Sequence, residues 1–66
     1  MPAQRLEIGD VILVHLSDEQ DPVEAKVVRQ IERTTTTVRA TLRADDGNTF
    51  EREWPVGELV TVVRGP

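Results

Sequence analysis

The chain contains no cysteine and no tyrosine, and its aromatic residues are limited to Phe50 and Trp54. Without cysteine it has neither a disulfide framework nor a thiolate metal site, so its core must be held by packing or by a partner. His15 is the only histidine, which leaves no spacing pattern of the kind that zinc sites show. We therefore expect no metal and no cofactor.

Long apolar runs are also missing. No stretch approaches the length that a membrane-spanning helix needs, and the first seven residues lack the apolar segment of a secretory signal. The expected location is cytoplasmic, without membrane association. No Gly-rich phosphate loop or calcium-loop pattern occurs, and Ser17 near His15 has no third group to orient a catalytic pair. We therefore expect a protein that is not an enzyme.

A length of 66 residues limits the chain to one domain, because a chain this short buries barely enough surface to stabilise a single hydrophobic core. Its 38% apolar and 30% charged residues are typical of a globular domain rather than a disordered tail. The net charge is −4, yet residues 25–43 hold five basic side chains against Glu32. The middle third of the chain is therefore locally basic.

Five segments carry strand patterns. Residues 11–16 form a β-branched apolar run after Ile8-Gly9-Asp10, and residues 17–22 read as a long exposed loop. Residues 23–32 and 37–44 follow, and the second of these alternates apolar and polar side chains, as a half-buried strand does. A strand that follows the Asp45-Asp46-Gly47 loop and ends at Trp54, and a last strand over residues 59–63, complete the set. We expect residues 55–58 to form one helical or 3₁₀ turn between them.

The loop Asp45-Asp46-Gly47 fixes the register of one hairpin. A three-residue loop closed by glycine in the left-handed conformation pairs apolar with apolar and charge with counter-charge. A two-residue loop at Asp46-Gly47 would mix the two faces and is rejected. The predicted pairs are Ala44 with Asn48, Leu42 with Phe50, Thr41 with Glu51, Arg39 with Glu53 and Val38 with Trp54.

The preceding hairpin has poor turn chemistry, since threonine resists the positive φ of tight two-residue turns. A two-residue tip at Thr34-Thr35 and a four-residue loop over residues 33–36 give the same register and are equally acceptable. The predicted pairs are Ile31 with Val38, Val27 with Leu42 and Ala25 with Ala44.

Three stretches together are similar to a known architecture: residues 8–14 (IGDVILV), residues 44–47 (ADDG) and residues 55–59 (PVGEL). Their order along the chain resembles an SH3-like small barrel of the Tudor or KOW kind. The resemblance implies an all-β, five-stranded antiparallel barrel over residues 1–66, with a short 3₁₀ turn before the last strand and with residues 1–7 free to be flexible.

The first strand has apolar residues on both faces. If Ile12, Val14 and Leu16 point inward, Val11, Leu13 and His15 point outward. Val28 of the next strand and one face of residues 59–63 would then join Val11 and Leu13 in a continuous exposed patch. We expect this patch to bind a protein partner or a second copy of the chain, unless the amino-terminal segment covers it.

The register places Arg29 and Arg52 on the inward face, on either side of the small Ala40. Two guanidiniums at this position would form a pocket for an anion or a carboxylate. A bulge near Val28 and Arg29, or extension of the side chains past the rim, would instead return both heads to water. The sequence leaves both interpretations open.

The outward face is predicted to carry Lys26, Arg39 and Arg43. Of all surfaces of the chain, this basic face is the one best suited to bind nucleic acid. Glu51 and Glu53 on the neighbouring strand would neutralise much of this charge, and the face has no aromatic residue to stack on bases. The leading hypothesis is therefore a non-catalytic protein-interaction or self-assembly module. The alternative is a nucleic-acid-associated accessory domain that uses this basic face.

Overall fold

The computed structural model describes residues 1–15 and 19–66, so the predicted inward position of Leu16 and the role of Ser17 lie outside the described residues. The described chain forms one antiparallel sheet in the order β4-β3-β2-β1-β5. Its strands are β1 Val11–Val14, β2 Val23–Arg33, β3 Thr37–Ala44, β4 Thr49–Pro55 and β5 Thr61–Arg64. The all-β class is confirmed. The sheet is open, because β4 and β5 stand at its two edges.

The β3–β4 hairpin has the predicted register at every pair. Its loop is closed by the Gly47 N–H, which donates to the Ala44 carbonyl at 2.9 Å, and by the Ala44 N–H, which donates to the Asn48 carbonyl at 2.9 Å. Gly47 has φ 88°, the left-handed conformation that only glycine adopts without strain. The Asp46 carboxylate accepts the Asn48 N–H at 2.9 Å, which fixes the loop further.

The β2–β3 hairpin departs from its prediction. Ala25 lies opposite Ala44 and Val27 opposite Leu42 as expected, but the register then shifts between Val27 and Arg29 and again between Gln30 and Glu32. The predicted pairing of Ile31 with Val38 is wrong, since Arg33 takes that position. Each shift is a β-bulge, in which one extra residue of β2 is accommodated without a partner on β3.

The tip of this hairpin is stabilised by a threonine hydroxyl, whereas the loop of the β3–β4 hairpin depends on a glycine at positive φ. The Thr34 N–H donates to the Thr37 carbonyl at 2.9 Å. The Thr34 hydroxyl oxygen accepts the N–H of Thr37 at 2.8 Å and that of Thr36 at 3.2 Å. The bend is therefore made at residues 35–36, one position beyond the predicted two-residue tip, and a threonine side chain supplies the acceptor that holds it.

The 3₁₀ turn lies at Ala3–Arg5, and the prediction of one at residues 55–58 is wrong. Those residues form a β-turn in which the Glu58 N–H donates to the Pro55 carbonyl at 3.0 Å. Gly57 has φ 89°, and a positive φ at this position excludes a helical turn and is typical of a type II turn. The last strand consequently begins at Thr61 rather than at Leu59.

The amino-terminal segment packs into the molecule. Pro2 forms an antiparallel bridge with Leu59, and both Ala3 and Leu6 are fully buried. They join the core with the inward side chains of the sheet, which include the predicted Ile12 and Val14. The core residues are Ala3, Leu6, Ile12, Val14, Ala25, Val27, Val38, Ala40, Leu42 and Val60. Among the described residues, no helix has the length and apolar character to cross a bilayer.

Candidate functional site

The predicted apolar patch of Val11, Leu13 and Val28 does not form as one surface. Val11 was expected to be exposed but is only 7% exposed, and Val28 lies half-buried in the first bulge. Val11 pairs with Lys26 on one side and Arg64 on the other, so long aliphatic stems flank it. Leu13 is the exposed member of the three.

Leu13 opens into a groove of about 550 Å³ at the end of β1, between the last residues of β4 and the stretch that leads into β5. We call it the Trp54 groove and define it by Leu13, Pro22, Arg52, Trp54, Glu58 and Leu59. Arg52 and Trp54 belong to β4, which is an edge strand of the sheet.

Trp54 and Leu59 supply the apolar surface of the groove. Trp54 is half-buried and packs against the core, while its indole N–H has no hydrogen-bond partner within the described residues. Leu59 is 76% exposed, the largest exposed fraction among the large hydrophobic side chains that the structure describes. A leucine this exposed contributes little to the core, although its backbone forms the bridge with Pro2.

Arg52 projects inward opposite Ala40, as the register predicts. Its guanidinium donates to the backbone carbonyl of His15, just beyond the end of β1. The side chain thus connects the β4 edge to β1 across the open side of the sheet, where no backbone pairing does so. His15 itself is exposed.

Arg29 does not join Arg52. The bulge at Val28 moves Arg29 opposite Thr41, whose side chain lies on the other face from Ala40, and Arg29 is exposed. The predicted pocket of two arginines beside Ala40 is therefore not formed, and the alternative of a bulge near Arg29 is the arrangement found. The extra residue reverses the face of Arg29, and the second bulge restores the original alternation at Glu32 and Arg33.

Two carboxylates of the described residues line the groove, those of Glu53 and Glu58. Glu53 is paired with Arg39 at 3.1 Å, as the register predicts, whereas Glu58 has no ion pair within the described residues. Glu19 and Asp21 are exposed and precede Pro22 in the sequence, but they do not line the groove. The groove thus combines the apolar side chains of Leu13, Trp54 and Leu59 with the carboxylate of Glu58.

The outer face of the sheet carries a basic row, which we define as Lys26, Arg43 and Arg64. Lys26 of β2 lies directly opposite Arg43 of β3. On the other side of Lys26, Val11 of β1 lies between Lys26 and Arg64 of β5, so the three basic residues fall in one line across the sheet. Arg64 also pairs with Glu24 at 3.3 Å. Lys26 and Arg43 were predicted on this face, but Arg64 was not, because the pairing of β5 with β1 joins distant parts of the chain and contains its own bulge.

The described residues contain no group of three His, Asp or Glu side chains placed to hold a metal ion. Asp10, the one buried carboxylate in the described part of the chain, has a structural role. Its Oδ2 accepts the Glu7 N–H at 2.9 Å, and its backbone N–H donates to the Glu7 carbonyl at 3.1 Å. The turn it holds contains Gly9 at φ 102°, which delivers the chain into β1.

Comparison with known proteins finds no family model, no curated protein and no solved structure that matches this chain. Its function is therefore inferred from the groove, the basic row and their chemistry.

Proposed function

We propose that the chain is a non-catalytic protein-interaction module that holds an extended segment of a protein partner in the Trp54 groove. The observation that carries the proposal is the adjacency of Leu59, 76% exposed, and a half-buried tryptophan in one groove at the open side of the sheet. Interface energy concentrates on tryptophan, tyrosine and arginine when a partner removes them from water, and the groove holds Trp54 and Arg52.

The small number of apolar side chains in the groove limits the expected affinity for a partner. Complete burial of an apolar side chain of this size stabilises a complex by roughly 1.5–3 kcal/mol, and the groove offers few such side chains. Association costs and the ordering of the partner segment offset much of this gain. The expected interaction is therefore weak and transient.

We take the domain to be an SH3-like small barrel, in which β1 pairs with both β2 and the last strand. The strand order β4-β3-β2-β1-β5 supports this assignment. The hydrogen bond from Arg52 to the His15 carbonyl across the open side supports it as well.

A peptide selection tests the proposal. Trp54 is the only tryptophan and the chain has no tyrosine, so intrinsic fluorescence reports on the groove directly. Peptides selected from a random library are expected to change Trp54 emission, and Leu59→Ser should weaken their binding by about tenfold. The matched control is Ile8→Ser, since Ile8 is 59% exposed but lies outside the groove. Peptides that bind Leu59→Ser as tightly as the parent would contradict the proposal.

A second copy of the chain is the other protein that could fill the groove. Sedimentation velocity over a wide concentration range distinguishes the two occupants. We expect a monomer for the parent and for Leu59→Ser. A parent that dimerises while Leu59→Ser stays monomeric would show self-assembly and overturn the assignment to a separate partner.

Nucleic-acid binding is the second candidate, because Arg64 extends the predicted basic face into a row with Lys26 and Arg43. Three phosphate contacts would give a salt dependence with a log–log slope of about −2 for a single strand. Fluorescence anisotropy with labelled single-stranded DNA and RNA at low salt tests it. The double variant Lys26→Gln, Arg43→Gln should abolish such binding, while Leu59→Ser should preserve it.

A further inference from the structure

We infer that the segment held in the Trp54 groove is cationic: an extended peptide in which lysine or arginine alternates with apolar residues. The inference rests on the proposed function and specifies the chemistry of its partner. Three features favour a positive charge on the segment, namely an uncompensated carboxylate in the groove, the net negative charge of the chain and an aromatic face.

Glu58 is the uncompensated carboxylate. The other acid of the groove wall, Glu53, lies 3.1 Å from Arg39 and has its charge matched within the sheet. Glu58 is exposed and has no ion pair within the described residues. A lysine or arginine of a bound peptide would provide the counter-charge and gain a charge-assisted hydrogen bond.

The net charge of the chain, −4, has the same sign as Glu58. Of the groove residues, Glu53 and Glu58 are acidic and Arg52 is basic, and Arg39 matches the charge of Glu53. The Arg52 guanidinium donates to the His15 carbonyl and is thereby directed to the backbone. The net charge of the chain would repel an acidic peptide and attract a cationic one during encounter.

Trp54 is the aromatic component. Its ring packs against the core on one side and remains partly exposed to the groove on the other. Tryptophan is the aromatic side chain that attracts a cation most strongly when the charge lies over its face. Trp54 and Glu58 line the same groove, and an aromatic face together with a carboxylate favours lysine or arginine over any neutral side chain.

Three synthetic peptides test the inference. Each alternates leucine with one polar residue, which is lysine, glutamine or glutamate, and Trp54 emission is followed during titration at low salt. We expect the lysine peptide to bind about tenfold more tightly than the glutamine peptide and the glutamate peptide to bind most weakly. Added salt should reduce the difference between them.

A pair of variants locates the effect. Glu58→Gln should weaken the lysine peptide by about fivefold, the upper end for an exposed ion pair. Glu51→Gln removes the same charge from an exposed position opposite Thr41, on the other face of β4, and should change binding by less than about twofold. Circular dichroism of each variant confirms that both remain folded.

The outcomes separate the inference from the proposed function. If the glutamine peptide binds as tightly as the lysine peptide, or if Glu58→Gln and Glu51→Gln behave alike, the cationic partner is excluded while the groove remains a binding site. If none of the three peptides alters Trp54 emission, and library selection yields none that does, both proposals are overturned.

Discussion

The two hairpins that share β3 differ in how evenly their strands pair. Between β3 and β4 the register is unbroken from Thr37 to Arg43, whereas between β2 and β3 it shifts twice. The regular hairpin has a loop closed by a glycine at positive φ and a strand pair that alternates cleanly. The bulged hairpin has a threonine tip. Turn chemistry that specifies one loop length also specifies one register.

The difference decides which arginine reaches the groove. Arg52 lies on the regular β4 and keeps its inward position opposite Ala40, from which it contacts the His15 carbonyl. Arg29 lies beyond the first bulge of β2 and is carried to the outer face. The bulged hairpin thus adds a positive charge to the face of the basic row, and the regular hairpin builds the wall of the Trp54 groove.

The largest expected effect concerns Leu42, which lies where both hairpins pair regularly, opposite Val27 and Phe50. It is fully buried. Leu42→Ala should lower the free energy of unfolding by about 2–5 kcal/mol, much of the stability expected for a domain of this size. Urea denaturation followed by Trp54 fluorescence measures the change. The control Leu59→Ala, at an exposed leucine, should stay within about 0.5 kcal/mol; equal costs would contradict the description of the core.

The regular hairpin depends on its loop glycine. At Gly47 an added Cβ would meet no atom within 4 Å, so Gly47→Ala tests the positive φ alone. It should destabilise the domain by about 1–2 kcal/mol, the cost of the left-handed conformation for a residue with a Cβ. Gly65→Ala is the matched control, since that position is equally open and lacks a positive φ. Thermal unfolding of both variants decides between them, and equal shifts would show that the loop does not impose the conformation.

Local chemistry explains how much of the fold was predictable. The Asp45-Asp46-Gly47 loop and the alternation of β3 carry the β3–β4 register in a contiguous stretch, and every predicted pair is found. The bulges in β2 have no comparable signal, because the register there depends on how the strand bends over the core. The amino-terminal packing of Ala3 and Leu6 is non-local in the same way, as is the bridge from Pro2 to Leu59.

The candidate site was less predictable than the fold. Leu13 and Arg52 were identified, but as parts of two separate sites, while Trp54 was assigned to the core. The groove forms only when the end of β4 and the stretch before β5 approach the end of β1, and no short segment of sequence encodes that approach. Leu59 was placed in a strand; the positive φ of Gly57 places it before β5, where it is exposed.

A matched pair of arginine variants sharpens the comparison of the hairpins. Arg52→Met removes the hydrogen bond that connects β4 to the His15 carbonyl while keeping an apolar stem, and should lower the free energy of unfolding by about 1 kcal/mol. Arg29→Met changes an exposed side chain beyond the bulge and should stay within about 0.5 kcal/mol. Chemical denaturation of the two variants side by side measures the difference. A larger loss for Arg29→Met than for Arg52→Met would reverse the assigned positions.

The smallest expected effect is the coupling between Arg39 and Glu53, the cross-strand ion pair of the regular hairpin. Their side chains are 44% and 49% exposed and lie 3.1 Å apart, so solvent screens much of the attraction. A double-mutant cycle with Arg39→Gln and Glu53→Gln should give a coupling free energy of about 0.2–1 kcal/mol that declines in high salt. The same cycle between Arg39 and Glu32, its neighbour across the bulged hairpin, should give a smaller value, because no ion pair forms there within the described residues. Equal coupling free energies in the two cycles would mean that the Arg39–Glu53 pair is no stronger than the Arg39–Glu32 pair, contrary to the ion pairing described for the regular hairpin.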